Sequence, residues 1–245
     1  DIVYGTALDG TQLNATANVP GTFTYAPAEG TILHAGFMQM LYVEFTPSDT
    51  LNYSGSWKEV FINVTPAELT VTADNLERNY GEDNPALTIN YSGFVSTDTT
   101  DSIDVLPAAW TDADSKSLAG TYTITVSGGM DSDYTFIYQE GTLTVKAVEP
   151  VVTTDSVTDV TVSSAKVSAS VTNNGGENTS ARGVCISTNE NPTTSDLCMN
   201  DASGGSSFMV EFTGLEEGTT YHVRAYAMNS AGTGYGADLT FRAVK

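Results

Sequence analysis

The chain has 245 residues, enough for two or three domains that each bury their own core. Its 30 acidic and 9 basic residues give a formal charge of -21, which repels nucleic-acid phosphates and anionic lipid and excludes both as partners. Thr, Ser, Gly, Val and Asn dominate, no window carries apolar residues at the helical spacing, and no apolar run approaches the roughly 18 residues that would insert directly in a membrane.

Short alternating runs divide the chain into three segments. In 1–65, Phe23-Thr-Tyr25, Leu41-Tyr-Val43-Glu-Phe45 and Val60-Phe-Ile62-Asn-Val64 alternate at period two, as half-buried strands do. Pro20-Gly21, Gly30, Gly36 and Pro47 punctuate them. In 67–146 the runs are Leu69-Thr-Val71-Thr-Ala73, Leu87-Thr-Ile89-Asn-Tyr91, Tyr122-Thr-Ile124-Thr-Val126, Tyr134-Thr-Phe136 and Thr142-Leu-Thr-Val145. Thr65-Pro66-Ala67 is a short and stiff joint, because Pro fixes its own φ and restricts the residue before it. In 149–245 the clearest strands are Val167-Ser-Ala169-Ser-Val171, Val210-Glu-Phe212 and Tyr221-His-Val223-Arg-Ala225. Three separate cores are expected, with few apolar contacts at 65–67 and 146–150.

One pattern occurs twice. Tyr4-Gly5, Asn52-Tyr53 and Val64 are echoed by Tyr80-Gly81, Asp133-Tyr134 and Val145, and both tyrosine-to-valine steps span 11 residues. Neighbouring copies of a module make an array, and Tyr53 and Tyr134 are expected to play the same structural part in each. The second copy has a whole strand, Leu69 to Ala73, ahead of its Tyr-Gly pair, whereas only Asp1, Ile2 and Val3 precede the first. A chain opening on Asp1 without an initiator Met is expected to be a processed or excised piece. The first module is then N-terminally truncated and leaves an unpaired edge beside Val60 to Val64.

Cys185 and Cys198 flank a turn from Ser187 to Asp196. Two hairpin strands could bring them within bridging distance in an exported protein, or each could stand as a small buried hydrophobe with a free thiol. Gly214-Leu215-Glu-Glu-Gly218-Thr-Thr-Tyr221 has the form of a tyrosine corner. There the Tyr221 phenol is expected buried, with its hydroxyl on backbone between Leu215 and Gly218.

These motifs carry a resemblance. Leu215, Gly218, Thr219, Tyr221, Ala227, Asn229 and Gly232 make the last segment similar to fibronectin type III modules. It departs from them at Glu217, where Pro is usual, and in lacking the core Trp of the second strand. Arg182-Gly-Val-Cys-Ile-Ser and Asn191-Pro-Thr-Thr-Ser resemble the variant found in Bacteroidetes surface proteins. Tyr80-Gly81, Asn84-Pro85, Leu87-Thr88, Tyr91-Ser-Gly-Phe94 and Tyr134-Thr-Phe136 resemble bacterial Ig-like modules of the MBG kind. Leu13-Asn-Ala, Gly21-Thr-Phe-Thr-Tyr25, Phe45-Thr-Pro47 and Asn52-Tyr53 resemble a related Ig-like repeat. The resemblance implies an all-β chain of three tandem β-sandwich domains in an elongated array, reaching on the order of 100 Å.

Chemistry is sparse. His34 and His222 are the only histidines, in different segments, and no nucleophile elbow, phosphate loop or metal-spaced histidine pair occurs. His222 alternates with Tyr221 and Val223 and is expected on the solvent face. No enzyme and no cofactor are expected. Asp98 to Asp104, Asp112-Ala-Asp114-Ser115 and Asp131-Ser-Asp133 offer partial calcium loops, but none is completed by a Glu or Gly at loop spacing, and solvated turns are the plainer reading. Asp49-Thr50-Leu, Asp98-Thr99-Thr, Asp101-Ser102-Ile and Asp155-Ser156-Val resemble the acceptor pattern for O-glycans in Bacteroidetes. The expected role is a stalk or adhesive segment of an exported, surface-attached protein, monomeric within a longer polypeptide. The alternative is an accessory glycan-binding array beside an enzyme or receptor domain, for which Trp57, Trp110, Tyr226 and Tyr235 are the aromatic candidates. The protein or glycan ligand at the surface is not legible.

Overall fold

The computed structural model describes residues 1–244; the last residue of the 149–245 segment lies outside them. Contacts gather the chain into two compact units, Asp1–Asn75 with Leu87–Thr111 and Thr123–Thr142, and Leu76–Ala86 with Asp112–Tyr122 and Leu143–Lys245. Segment 67–146 therefore contributes to both. Among the described residues the chain is all-β apart from one 3-10 turn, Thr100–Ser102.

In chain order the strands through 146 are β1 (Ile2–Val3), β2 (Gly21–Ala26), β3 (Gly36–Pro47), β4 (Ser56–Thr65), β5 (Ala67–Ala73), β6 (Leu76–Asn79), β7 (Ile89–Ser92), β8 (Val105–Trp110), β9 (Gly120–Met130), β10 (Tyr134–Gln139) and β11 (Gly141–Lys146). In the first unit, β1-β4-β3-β2 form one sheet. β2 and β3 pair antiparallel from Gly21↔Pro47 to Ala26↔Tyr42, and β3 and β4 from Phe45↔Ser56 to Gly36↔Val64. β1 adds in parallel at Ile2↔Val64 and Val3↔Thr65. A second sheet has the order β10-β5-β7. Its central β5 runs parallel to β10, from Ala67↔Tyr134 to Thr72↔Gln139, and antiparallel to β7, from Thr70↔Ser92 to Ala73↔Ile89. The alternation read in the sequence is the cause. Ala67, Leu69, Val71 and Ala73 are all buried, Leu69 and Val71 completely, while Glu68 faces out. β8 and β9 make an antiparallel hairpin in the same unit.

The second unit opens with β6 paired in parallel with β11, from Leu76↔Leu143 to Asn79↔Lys146. Then follow β12 (Val151–Thr158), β13 (Ser164–Asn173), β14 (Ala181–Ser187), β15 (Leu197–Asn200), β16 (Ser207–Thr213), β17 (Thr220–Met228), β18 (Thr233–Tyr235) and β19 (Leu239–Arg242). One sheet is β12-β13-β16; the other is β15-β14-β17-β18, with β19 also on β17. Ala165, Val167, Val210 and Phe212 of the first share a core with Val184, Ile186, Val223 and Ala225 of the second, so this is a β-sandwich.

Cys185 and Cys198 stand opposite each other on β14 and β15 and form a disulfide, with S–S 1.98 Å. The reading of two free thiols is set aside. At 65–67 the two segments are in apolar contact. Tyr4, from the first segment, packs into the cluster of Ala67, Leu69, Ile103 and Tyr134 from the second.

Candidate functional site

Tyr4 follows β1 directly, and the 2.8 Å bond from its own N–H to the Thr65 carbonyl fixes where its ring goes. That ring lies edge-on to Tyr134 and stacked on His34, with centroids 5.5 and 5.9 Å apart. The hydroxyls of Tyr4 and Tyr134 both donate to Asp98 Oδ2, at 2.8 and 2.6 Å, while the Val95 N–H donates to the Tyr134 hydroxyl at 2.8 Å. Asp133 accepts from the Ala35 N–H at 2.6 Å and pairs with His34 Nδ1 at 2.7 Å. Burial first, then the Asp98 carboxylate and the nearby Asp133 and Asp131 charges, push the Tyr4 phenol up to about 12. Burial and Asp98 raise Tyr134 as well. Both phenols therefore stay protonated donors over the ordinary pH range. The hydrogen bond to Asp133 raises the His34 pKa. Gly5, with φ +95°, brings the backbone so near Val95 that a Cβ would stand 2.9 Å from its methyls. The joint after residue 65 is thus a bonded cluster rather than a bare linker.

A second joint lies within the other unit. Asn229 Nδ2 donates to the carbonyls of Val148 and Asn174, at 2.6 and 3.1 Å, while its Oδ1 accepts from the N–H groups of Ala231 and Gly232. The Val148 N–H donates to Gly175 O, and the Ala119 N–H to Gly176 O. Gly175, with φ +77°, is the residue that permits this; a Cβ there would sit 1.9 Å from the Val148 carbonyl oxygen. Asn229 entered the sequence reading only as part of a scaffold motif. Its work in holding residues 148 and 174 was not legible, because both partners are distant in sequence.

The remaining candidates scatter. Tyr221 is half-buried, stacks on Phe241 at 5.7 Å, and its hydroxyl accepts from the Glu216 N–H at 3.1 Å, with Leu215 beside it on the core. Tyr134 is 4% exposed but Tyr53 is 50% exposed, so the two do not play the same part. Among the glycan candidates, Trp57 and Trp110 are open to solvent, at 65% and 49%. Tyr226 is buried, with its hydroxyl on Asn200, and is not the exposed aromatic expected. Tyr235 is half-covered, with the Arg224 guanidinium 4.6 Å above its ring.

His222 is not on the solvent face: its side chain is 16% exposed and pairs with Asp238 at 2.9 Å. Thr240 Oγ1 lies 3.4 Å from the same nitrogen, Nδ1. A proton relay needs nucleophile and acid on opposite ring nitrogens, so this trio is not one.

The acidic turns spend their carboxylates internally. Asp98 serves the tyrosines, Asp114 accepts from Lys116 N–H and Ser117, and Asp131 from the N–H groups of Asp104, Asp133 and Tyr134. Asp112 and Ser115 sit beside Asp114 in the same turn region. Of the modification candidates, Thr50 is exposed. Thr99 and Ser102 are exposed but close a capping box on the 3-10 turn. Ser156 is half-buried in β12, opposite Ser168.

A groove of about 740 Å3 lies in the first unit. Residues 14–19, 52–54 and 56–58 line it together with Phe23, Val43 and Phe45. The Phe23 and Phe45 rings lie 5.0 Å apart, and Trp57 stacks on Tyr42 at 6.0 Å.

Residues 69–144 match the family model of the MBG domain (YGX type), a span that includes Tyr80-Gly81. No curated protein matches the chain. Among solved structures it is similar to three domains' worth of chicken CNTN1 (FN1-FN3), at 15% identity over 84% of this chain and 78% of that one, with TM-score 0.33. A structure of domains from titin is similar at 13% identity over 85% and 75%, TM-score 0.33. One described as "Myokine structure" is similar at 19% identity over 41% and 100%, TM-score 0.30.

Proposed function

We propose that the chain is a non-enzymatic stalk or adhesive segment of an exported bacterial surface protein, built of modules 1–65, 67–146 and 149–245. It spaces whatever it carries and offers loops as weak contact surfaces. The observation that supports this reading is the pair of bonded joints. A spacer keeps its reach only if successive modules cannot swing freely. Here Asp98 with Tyr4 and Tyr134 ties the first segment to the second by side-chain bonds, and the Ala119 N–H on the Gly176 carbonyl ties the second to the third, with Asn229 holding Val148 between them. The Cys185–Cys198 disulfide supports export, since such bonds persist in oxidising compartments. The glycan-binding alternative draws no comparable support, because Tyr226 is buried and the Tyr235 ring is covered by the Arg224 guanidinium.

Single-molecule pulling on residues 1–245 tests the proposal. Several separate unfolding events are expected, with the first altered by Asp98→Asn. One cooperative event, insensitive to that variant, would overturn the modular spacer.

A further inference from the structure

Within the second unit, a polar cleft of about 470 Å3 lies between Tyr80, next to β6, and the turn that joins β13 to β14. That volume falls in the range of small-molecule sites. None of the four aromatics weighed above as glycan contacts lines it. The turn is held in place by its backbone. Gly175 and Gly176, both buried, take φ +77° and +93°, and their carbonyls accept from the N–H groups of Val148 and Ala119 at 3.0 and 2.8 Å. A Cβ on Gly176 would stand 2.6 Å from the Tyr80 ring, so only glycine lets the phenol lie against this backbone. The Tyr80 N–H is itself fixed on the Lys146 carbonyl at 2.8 Å.

The lining carries unspent hydrogen-bonding capacity. Asn173 and Asn174 accept through Oδ1 from the N–H groups of Gly175 and Gly176, which orients both amides and leaves each Nδ2 as a donor without a partner. The side chains of Asn178, Thr179 and Ser206 and the Tyr80 hydroxyl make no hydrogen bond among the described residues. Each alone is an ordinary solvated group. Together, around one fixed turn and beside an aromatic ring, they present preorganised donors and acceptors to whatever enters.

Charge narrows the ligand. Arg182 is the one charged residue of the lining, and Asp201 holds its guanidinium at 3.0 and 2.6 Å while the carbonyls of Gly204 and Gly205 also accept from it. The lining therefore offers no carboxylate to a cation and no unpaired cation to an anion, which the chain's charge of -21 repels besides. A neutral ligand rich in hydroxyls fits what is left. Its hydroxyls match the amides, and the C–H face of a sugar ring matches the phenol.

We propose that this cleft binds a neutral saccharide, either a free sugar or the end of a glycan chain, with one ring beside Tyr80 and its hydroxyls on Asn173, Asn174 and Asn178. The proposal does not rest on the spacer reading, and a spacer can carry such a site.

The test titrates the nitrogen-labelled chain, followed by NMR, with glucose, galactose, N-acetylglucosamine, maltose and lactose, and with glucuronate as the charged control. Saturable shifts of the Asn173, Asn174 and Asn178 side-chain amides are expected with at least one neutral sugar, at a Kd on the order of 1 mM. Maltose binding more tightly than glucose marks a glycan end and equal binding a single sugar; either supports the site. Asn178 is exposed and without a partner, so Asn178→Ala should leave the melting temperature unchanged and weaken binding by about fivefold or more. Trp57→Ala should leave binding unchanged. No saturable shift with any neutral sugar, equal binding of glucuronate, or indifference to Asn178→Ala would overturn the proposal. So would loss of binding on Trp57→Ala, because the sugar would then sit on the exposed aromatic of the first unit.

Discussion

Segments 1–65 and 67–146 carry the same tyrosine-to-valine pattern and yet bury it differently. Tyr134 lies in a core with Leu69, Ile103 and, across the joint, Tyr4; Tyr53 stands half-exposed in the lining of a groove. The two differ in β5. It supplies four buried apolar residues to the second segment, and no strand of the described residues does so in the first. The core cluster of the first has Leu8, Leu13 and Leu41 as its buried members, with Phe45 and Val64 buried besides. A motif specifies how a residue is presented, and its neighbours decide how much water it loses.

The comparison breaks or sharpens most on β5 itself. Leu69→Ala removes a fully buried side chain and should cost about 2–5 kcal/mol in urea unfolding, whereas Val60→Ala on exposed β4 should stay within about 0.5 kcal/mol. Equal costs would erase the distinction between the segments. Next is Tyr134→Phe, which leaves the Val95 N–H without its acceptor and takes one donor from Asp98. About 1–3 kcal/mol is expected, and almost nothing from Tyr53→Phe. In the other unit, Tyr221→Phe removes the acceptor of the exposed Glu216 N–H and should cost about 1 kcal/mol or less, read by thermal unfolding.

The smallest effect is that of pH at the first joint. The folded pKa of His34 lies above its unfolded value because Asp133 accepts its hydrogen bond. Its contribution is therefore fully present below the unfolded value of about 6.5 and is lost as pH rises through the folded one. His34 is largely solvated, so the melting temperature should fall only slightly across that window, and Asp133→Asn should flatten the trend. A melting temperature that rises instead would place the imidazole elsewhere.

The sequence by itself determined the strands and the duplication. Period-two runs such as Leu69 to Ala73 and Tyr122 to Val126 became β5 and the middle of β9, because alternation puts every second side chain on one face whatever lies beyond it. It also marked the corner at Tyr221, whose hydrogen-bond partner is five residues away. Leu87-Thr88 stayed outside β7, since pairing to β5 begins only at Ile89. What tertiary structure alone decided was every property set by a distant neighbour. Asp98 looked like part of a calcium turn and became the acceptor for two phenols, one of them 94 residues away. His222 was expected to face water until Asp238 covered it, and Asn229 became the clamp on residue 148. Burial and hydrogen-bond partnership are sums over contacts that the chain makes only after folding. Local periodicity carries the first few ångströms of that information and none of the rest.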